Sequence, residues 1–297
     1  MIRFIQALYG GLGAGSIYAL IAVGFVIIYK STRIISFAQP GLMVVGALTV
    51  AYLGPVYGLP FFLAVPLAML LIAGLGMVIE RAALRPMVGK PVFVMVIITL
   101  GIDVVLRVVA NRFIGVTVRP VGDPWGFSTF TIAGVPFQTR FLIMLAALAA
   151  VVGVLFAFFR YSRMGLAMRA AAFDQETALA QGISVGAVFA LSWAIAAALA
   201  TLAGVFVGTG TPIDQGTWVI ALKALPAIII GGLDSVGGAV IGGLAVGVVE
   251  SLVAAYQPAY APWLGNNFEL VSPYVVLLLV LLVRPYGLFG TPEVERV

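Results

Sequence analysis

Long apolar runs follow one another along almost the whole chain, and they restrict its fold more than any other feature. Each run approaches the length of about 20 mostly apolar residues that a bilayer-spanning helix needs. In lipid such a run must satisfy its own backbone hydrogen bonds, so we expect helices. The runs are 5–28, 36–54, 60–79, 91–111, 140–159, 187–208, 217–233, 236–256 and 269–283.

These runs predict an all-α polytopic membrane protein with about nine (8–10) transmembrane helices in a single transmembrane domain, residues 1–297. The composition agrees, because 63% of the residues are hydrophobic and only 9% are charged, against roughly 25% charged residues in soluble proteins. The pattern leaves open whether the runs 36–54 and 217–233 cross the membrane completely. Arg3 is the one charge before the first run, which favours a membrane span over a cleaved signal peptide.

Residue types that the sequence lacks exclude several classes of function. It has no His and no Cys, which excludes disulfides, thiolate chemistry, imidazole bases and the commonest zinc sites. It has neither clustered carboxylates for acid-base or metal catalysis nor a Gly-Lys-Ser/Thr motif for nucleotide phosphates. We therefore expect no enzyme and no bound metal or cofactor. We also expect no nucleic-acid partner, because the basic residues lie mostly in loops between spans.

The distribution of Lys and Arg between the loops predicts the orientation, because cytoplasmic loops carry an excess of both. With the N-terminus outside and the C-terminus in the cytoplasm, the inner side receives ten and the outer side four. The inner ten are Lys30, Arg33, Arg81, Arg85, Lys90, Arg160, Arg163, Arg169, Arg284 and Arg296, and the outer four are Arg3, Arg112, Arg119 and Arg140. This places a loop of about 160–186 in the cytoplasm and a loop of about 113–139 outside.

The cytoplasmic loop 160–186 interrupts the apolar chain with residues that favour two short helices. Ala167–Ala172 is a run rich in helix formers. Asp174 is a typical N-cap for a further turn from Glu176 to Gln181, and Gly182 is a typical stop. The pattern alone leaves two interpretations open, an ordered loop or an element that docks on a partner protein.

Apart from Arg140 and Glu269, which stand at the first positions of their runs, four charged residues fall inside the apolar runs, where exposure to lipid costs about 2.5–3.5 kcal/mol each. Asp103 and Arg107 are four residues apart and share one helix face. Lys223 and Glu250 lie on consecutive antiparallel segments, at depths that differ by about a turn and a half. We expect two structural ion pairs, with contact to a transported substrate as the alternative.

Proline and glycine mark positions where a membrane helix can be interrupted or can pack closely against another helix. Pro40-Gly41 and Pro226 lie inside apolar runs. A discontinuous membrane helix exposes backbone dipoles to a substrate, and a packing kink is the alternative. Glycines concentrate at 10–15 and 231–243, where small residues allow close packing of helices.

Five groups of residues occur in order along almost the whole chain. They are Leu12-Gly-Ala-Gly-Ser-Ile-Tyr-Ala-Leu-Ile-Ala-Val-Gly24 with Ile35-Ser-Phe-Ala38, Glu80-Arg81 with Arg85-Pro86, Arg169-Ala-Ala-Ala-Phe-Asp174 through Ala180-Gln-Gly-Ile183, Gly231-Gly-Leu-Asp-Ser-Val-Gly-Gly-Ala239, and Arg284-Pro-Tyr-Gly-Leu-Phe-Gly290. In this order the chain resembles the permeases of branched-chain amino-acid ABC importers of the LivH type. The third group resembles the coupling loop of those permeases.

The resemblance implies the importer permease fold of the LivH and ribose-permease superfamily, in a bacterial or archaeal plasma membrane. A second permease subunit, related or identical, would complete the translocation path. A binding protein outside would deliver the substrate, and cytoplasmic ABC ATPase subunits would use the ATP. The coupling loop would dock on an ATPase through Arg169, Ala172, Asp174, Glu176, Ala180, Gly182 and Ile183.

The expected substrate depends on a departure from the family pattern. After the first span the family reads Phe-Ala-His-Gly and an acidic residue, whereas this chain has Phe37-Ala-Gln-Pro-Gly41. The resemblance implies branched-chain or other amino acids, with urea, amides or small organic acids as the alternative. A stand-alone secondary transporter or channel is the alternative of another class. The candidates for the substrate path are Gln39, Pro40, Gly41, Asp103, Arg107, Lys223 and Glu250.

Overall fold

The computed structural model describes residues 2–87, 90–115, 118–126, 128–132 and 134–291, and most of them are helical. The helices are α1 Ile2–Thr32, α2 Gln39–Ala51, α3 Phe61–Ile79, α4 Val92–Ile114, α5 Thr139–Tyr161, α6 Arg163–Phe173, α7 Gln175–Ala180, α8 Val185–Gly210, α9 Val219–Leu222, α10 Ala224–Gly231, α11 Val236–Tyr260 and α12 Ser272–Val283. A short antiparallel hairpin, β1 Thr129–Ile132 and β2 Val135–Gln138, lies in the predicted outer loop. Arg296, one of the basic residues used for the orientation, lies outside the described residues.

Within the described part of the chain, seven helices are long and apolar enough to cross a membrane. They correspond to seven of the predicted runs and confirm an all-α polytopic architecture. The other two runs form shorter helices. The run 217–233 is divided between α9 and α10, and α12 has 12 residues, which is about 18 Å against a hydrocarbon core of about 30 Å. Nine complete crossings therefore stay a prediction.

Two of the long helices end in π turns. α2 continues as the π turn Tyr52–Val56, which contains Pro55. α3 continues as the π turn Glu80–Leu84, whose first and last residues are both buried. Such turns are rare and frequently mark functional positions, because the wider backbone redirects side chains.

The chain divides into two compact units, each built from stretches that are distant in sequence. Unit 1 comprises Met1–Val26, Trp125–Leu148 and Leu222–Val297, and unit 2 comprises Ile27–Pro124 and Ala149–Ala221. The single transmembrane domain expected from the sequence stays a prediction.

Small residues allow α2 and α3 to pack closely against α8 in unit 2. A Cβ atom added to Gly46 would lie 2.8 Å from Cα of Thr201, and one added to Gly76 would lie 2.8 Å from the carbonyl oxygen of Trp193. Backbones this close leave no room for a larger side chain, as in other membrane helix pairs that pack through glycine.

The first half of α1 packs closely against the middle of α11 in unit 1, and close packing is what the glycine cluster at 10–15 predicted. A Cβ atom on Gly11 would lie 2.7 Å from Cα of Val248, and one on Gly15 would lie 2.8 Å from Cα of Leu244. The β1–β2 hairpin is attached to α1, because the Tyr9 hydroxyl donates to the carbonyl oxygen of Gln138 at 2.8 Å.

Candidate translocation and coupling sites

The predicted coupling loop forms two capped helices, α6 and α7. The Ser162 side chain accepts the backbone N–H of Gly165 at 2.8 Å and starts α6. Asp174 caps α7, because its carboxylate accepts the N–H groups of Glu176 at 2.9 Å and Thr177 at 3.1 Å. The Thr177 hydroxyl also donates to this carboxylate. These hydrogen bonds lower the pKa of Asp174, and the bond from the Thr177 hydroxyl contributes most. The predicted N-cap is confirmed.

Gly182 ends this helix pair, as predicted. Its φ of 81° lies in the left-handed region that favours glycine. The N–H of Gly182 donates to the carbonyl oxygen of Leu179, and that of Ile183 donates to the carbonyl oxygen of Ala178. These bonds use carbonyl groups that a helix end otherwise leaves unpaired.

The pair of helices carries an exposed aromatic residue that the sequence prediction missed. Phe173 is 93% exposed at the end of α6, beside exposed Asp174 and Glu176. An exposed aromatic ring on a polar segment is a common anchor in protein interfaces. The sequence held one signal for this residue, a Phe between Ala172 and Asp174 in an otherwise polar loop.

Two long-range hydrogen bonds join this segment to the end of α1, and we call them the α1 latch. The amide nitrogen of Gln175 donates to the carbonyl oxygen of Ser31 at 2.8 Å. The guanidinium of Arg33 donates to the carbonyl oxygen of Ala172 at 3.0 Å. Sequence reasoning assigned Arg33 to the positive-inside bias alone, because a contact across 139 residues leaves no local pattern.

Asp103 and Arg107 form the predicted ion pair, with Nε of Arg107 2.7 Å from the carboxylate. The other carboxylate oxygen accepts the backbone N–H of Gly41 at 2.7 Å. The guanidinium carbon of Arg107 lies 4.0 Å from the centre of the Trp218 ring, a cation–π contact that the sequence did not reveal. The ion-pair prediction is confirmed, and its role in transport stays a prediction.

Gln39 and Pro40 begin the first turn of α2 and directly precede Gly41, whose N–H binds Asp103. Gln39 is fully buried, and neither its amide oxygen nor its amide nitrogen has a hydrogen-bond partner among the described residues. Proline has no backbone N–H, and Pro40 costs no hydrogen bond here because the first N–H groups of a helix have no partner within the helix. Gln39, Pro40, Gly41, Asp103 and Arg107 are thus brought together in unit 2.

Lys223 and Glu250 form the second predicted ion pair, in unit 1. The Tyr18 hydroxyl donates to the other carboxylate oxygen of Glu250 at 2.6 Å. Lys223 lies at the break between α9 and α10, and Pro226 stands in the first turn of α10. The helix is therefore discontinuous, and the break occurs at the lysine.

The described part of the chain holds no group of three carboxylates that could bind a metal ion. Its charged membrane residues are instead paired within each unit.

Comparison with known proteins gives matches over the whole chain. The sequence model of the branched-chain amino acid transport system permease component matches residues 7–283. The chain is 32% identical to the high-affinity branched-chain amino acid transport permease LivH of Salmonella typhimurium, over 100% of this chain and 98% of that protein. It is 31% identical to the corresponding permease BraD of Pseudomonas aeruginosa, over 99% and 98%.

A solved structure shares the fold at lower sequence identity. PsaBC from Streptococcus pneumoniae, solved in complex with a Fab, superposes with a TM-score of 0.53 over 95% of this chain and 91% of that one. The two chains are 15% identical, so this likeness concerns the fold alone.

Proposed function

This chain belongs to the family of permease components of branched-chain amino acid transport systems, and from that premise we propose how it works. It lines part of the translocation path of an ATP-driven importer, and it couples to separate ATPase subunits through α6 and α7. The permease itself is a transport component rather than an enzyme, and ATP is bound and used by the partner subunits. A second permease subunit, related or identical, and an extracytoplasmic binding protein complete the importer.

The observation that carries this proposal is the exposed, capped helix pair with its latch to α1. Capping by Asp174 stabilises the first turn of α7. Phe173 and Glu176 are exposed and can contact a partner. The hydrogen bonds of Gln175 and Arg33 would transmit a displacement of α6 and α7 to the end of α1. An exposed ring beside exposed carboxylates on a capped helix pair is a surface that a partner protein can cover.

We assign branched-chain amino acids as the substrates, on the basis of the family and of the names of the relatives. Arg107 supports an amino acid, because Asp103 uses its Nε while the side chain stays 24% exposed. Its terminal nitrogens can therefore meet a substrate carboxylate, for which a guanidinium is a strong donor.

We further propose that the N-terminus faces outside and that the membrane is the plasma membrane of a bacterium or archaeon. The excess of Lys and Arg on the side of α6 and α7 supports this orientation. The discontinuous α9–α10 segment and α12 would then supply two further crossings, with their irregular parts covered by protein rather than lipid.

Reconstitution tests the proposal directly. The chain is co-expressed with ABC ATPase subunits, a second permease and a binding protein of the same type of importer, and the complex is placed in liposomes that contain ATP. We expect accumulation of labelled leucine that requires both ATP and the binding protein. Uptake by the chain alone, driven by an ion gradient, would overturn the proposal in favour of a secondary transporter.

Charge reversal at the coupling element tests its assigned role. Asp174→Lys with Glu176→Lys should leave ATP hydrolysis but abolish uptake, because the repulsive charges and the lost N-cap separate α7 from the ATPase. The matched control is Asp174→Asn with Glu176→Gln, which keeps a good N-cap and removes only charge. Normal uptake by the lysine variant would exclude this docking site.

A further inference from the structure

A cation–π contact gives Arg107 a second neighbour besides its carboxylate partner. The guanidinium carbon lies 4.0 Å from the centre of the Trp218 ring, and Nε lies 2.7 Å from the carboxylate of Asp103. A guanidinium is attracted to an indole face at distances up to about 6 Å. The side chain of Arg107 is therefore held from two directions, by the carboxylate at one edge and by the ring over its plane.

The terminal nitrogens of Arg107 are left open by both contacts. No hydrogen bond joins either nitrogen to another described residue, and neither belongs to the buried unpaired atoms of the described chain. The side chain is 24% exposed, so both nitrogens are accessible. Their N–H groups form a planar fork that can bind a carboxylate through two parallel hydrogen bonds.

Backbone contacts fix the segment that leads to Trp218. Arg119 and Ile213 exchange two backbone hydrogen bonds of 2.8 Å, which pair this segment with the residues after α4. The amide nitrogen of Gln215 also donates to the carbonyl oxygen of Gly115 at 3.0 Å. Both contacts tie the segment to the end of α4, the helix that carries the arginine.

A hydrogen-bonded turn stands directly before Trp218. The carboxylate of Asp214 accepts the N–H of Gly216 at 2.9 Å and the hydroxyl of Thr217 at 2.8 Å. The same hydroxyl oxygen accepts the N–H of Asp214 at 2.9 Å. Turns of this kind hold the backbone through a short polar side chain, so they limit the orientations that the following ring can take.

The depth of Arg107 makes its orientation matter. It stands seven residues before Ile114, the last residue of α4, which is about 10 Å along the helix axis. A contact between charges at that depth is screened by water less than a contact at the surface. A fork that points correctly can therefore contribute strongly to the selection of a ligand, and a fork that rotates away cannot.

We propose that Trp218 is a positioning residue of the substrate site and that it thereby sets the selectivity of this site for a carboxylate. The ring holds the plane of the guanidinium while Asp103 holds Nε, so the terminal nitrogens of Arg107 meet both oxygens of the substrate carboxylate. Without the ring, the plane can rotate about Nε and the fork meets one oxygen at most. The inference rests on the proposed function, and it adds the residue that distinguishes a carboxylate from a neutral polar group.

Binding to the complete detergent-solubilised importer, measured without the binding protein, tests this role, because the binding protein otherwise contributes its own affinity. We expect labelled leucine to bind, and leucinamide, which lacks the carboxylate, to compete much more weakly. Trp218→Leu should raise the Kd for leucine about 2-fold to 30-fold, the range of a cation–π contact. The Kd for leucinamide should not change, so the preference for leucine falls.

Three further variants make the comparison specific. Trp263→Leu is the matched control, because Trp263 is 81% exposed and lies in unit 1, and it should change neither Kd. Trp218→Phe keeps a weaker aromatic face and should raise the Kd for leucine about twofold, so it decides the question if Trp218→Leu does not fold. Arg107→Lys keeps the charge, loses the planar fork and should abolish the preference for leucine.

The outcomes separate this inference from the proposed function. It is overturned if the wild-type complex does not prefer leucine to leucinamide, or if loss of the ring leaves the preference unchanged. An equal rise of both Kd values would mean a structural role only, and would also overturn it. ATP-driven uptake of leucine by the same wild-type complex in liposomes decides the proposed function, whichever result the binding experiment gives.

Discussion

The backbone N–H of Gly41 and the guanidinium of Arg107 bind the same carboxylate, that of Asp103, each at 2.7 Å. The ion pair on α4 therefore also holds the first turn of α2. Arg107→Met would leave a buried carboxylate without its cation, and we expect a loss of about 3–5 kcal/mol of stability. Thermal unfolding in detergent should show Asp103→Asn with Arg107→Met to be more stable than Arg107→Met alone. Equal or additive losses would contradict a buried pair.

The hydroxyl of Tyr18 stabilises the second ion pair. It donates to Glu250, whose other oxygen binds Lys223. Tyr18→Phe should cost about 1.5–3 kcal/mol, the range for a bond to a charged group. In a Glu250→Gln background the same change should cost less, because the acceptor is then neutral. Tyr161→Phe, at an exposed tyrosine, is the control and should have no effect on the unfolding temperature.

The close approach of α1 and α11 depends on single glycines. An added Cβ atom on Gly247 would overlap the backbone of Gly15, whereas one on Gly237 meets nothing within 4 Å among the described atoms. Gly247→Ala should therefore destabilise the protein by about 1–3 kcal/mol through overpacking. Gly237→Ala lies on the same helix and should be neutral or stabilising by up to about 1 kcal/mol. Similar effects of the two variants would refute the close packing.

The α1 latch should determine how much ATP is used for each molecule transported. Gln175→Ala with Arg33→Asn removes both hydrogen bonds, and Asn tolerates the left-handed backbone of Arg33, whose φ is 59°. We expect ATP hydrolysis to continue and the ratio of ATP used to leucine transported to rise several-fold. Gln181→Ala, an exposed residue of the same segment, is the control. An unchanged ratio in the double variant would show that the α1 latch does not contribute to coupling.

Features with a local pattern were predictable from the sequence. The seven long helices follow from their apolar runs, and the N-cap at Asp174 follows from the preference of Asp for that position. The two ion pairs follow from the cost of an isolated charge in lipid, which requires each charge to find a partner.

Features that depend on distant residues were not predictable. The stacking of Trp218 on Arg107 and the bond from Gln175 to Ser31 join segments without any shared pattern. The sequence left open a discontinuous helix or a packing kink at Pro226, and the interruption lies three residues earlier, at Lys223. A proline in the first turn of α10 displaces no hydrogen bond, so the helix can begin before it.

Unit 1 joins the first residues of the chain to the last, and this has a consequence for biogenesis. Gly15 and Gly243, whose backbones meet, are about 230 residues apart in sequence. At roughly 5–20 residues per second, the ribosome needs on the order of 10–45 s to deliver the second glycine after the first. During that interval the glycine surface of α1 lacks its partner helix. Helix α1 therefore reaches its final packing only after α11 has been made, long after its own synthesis.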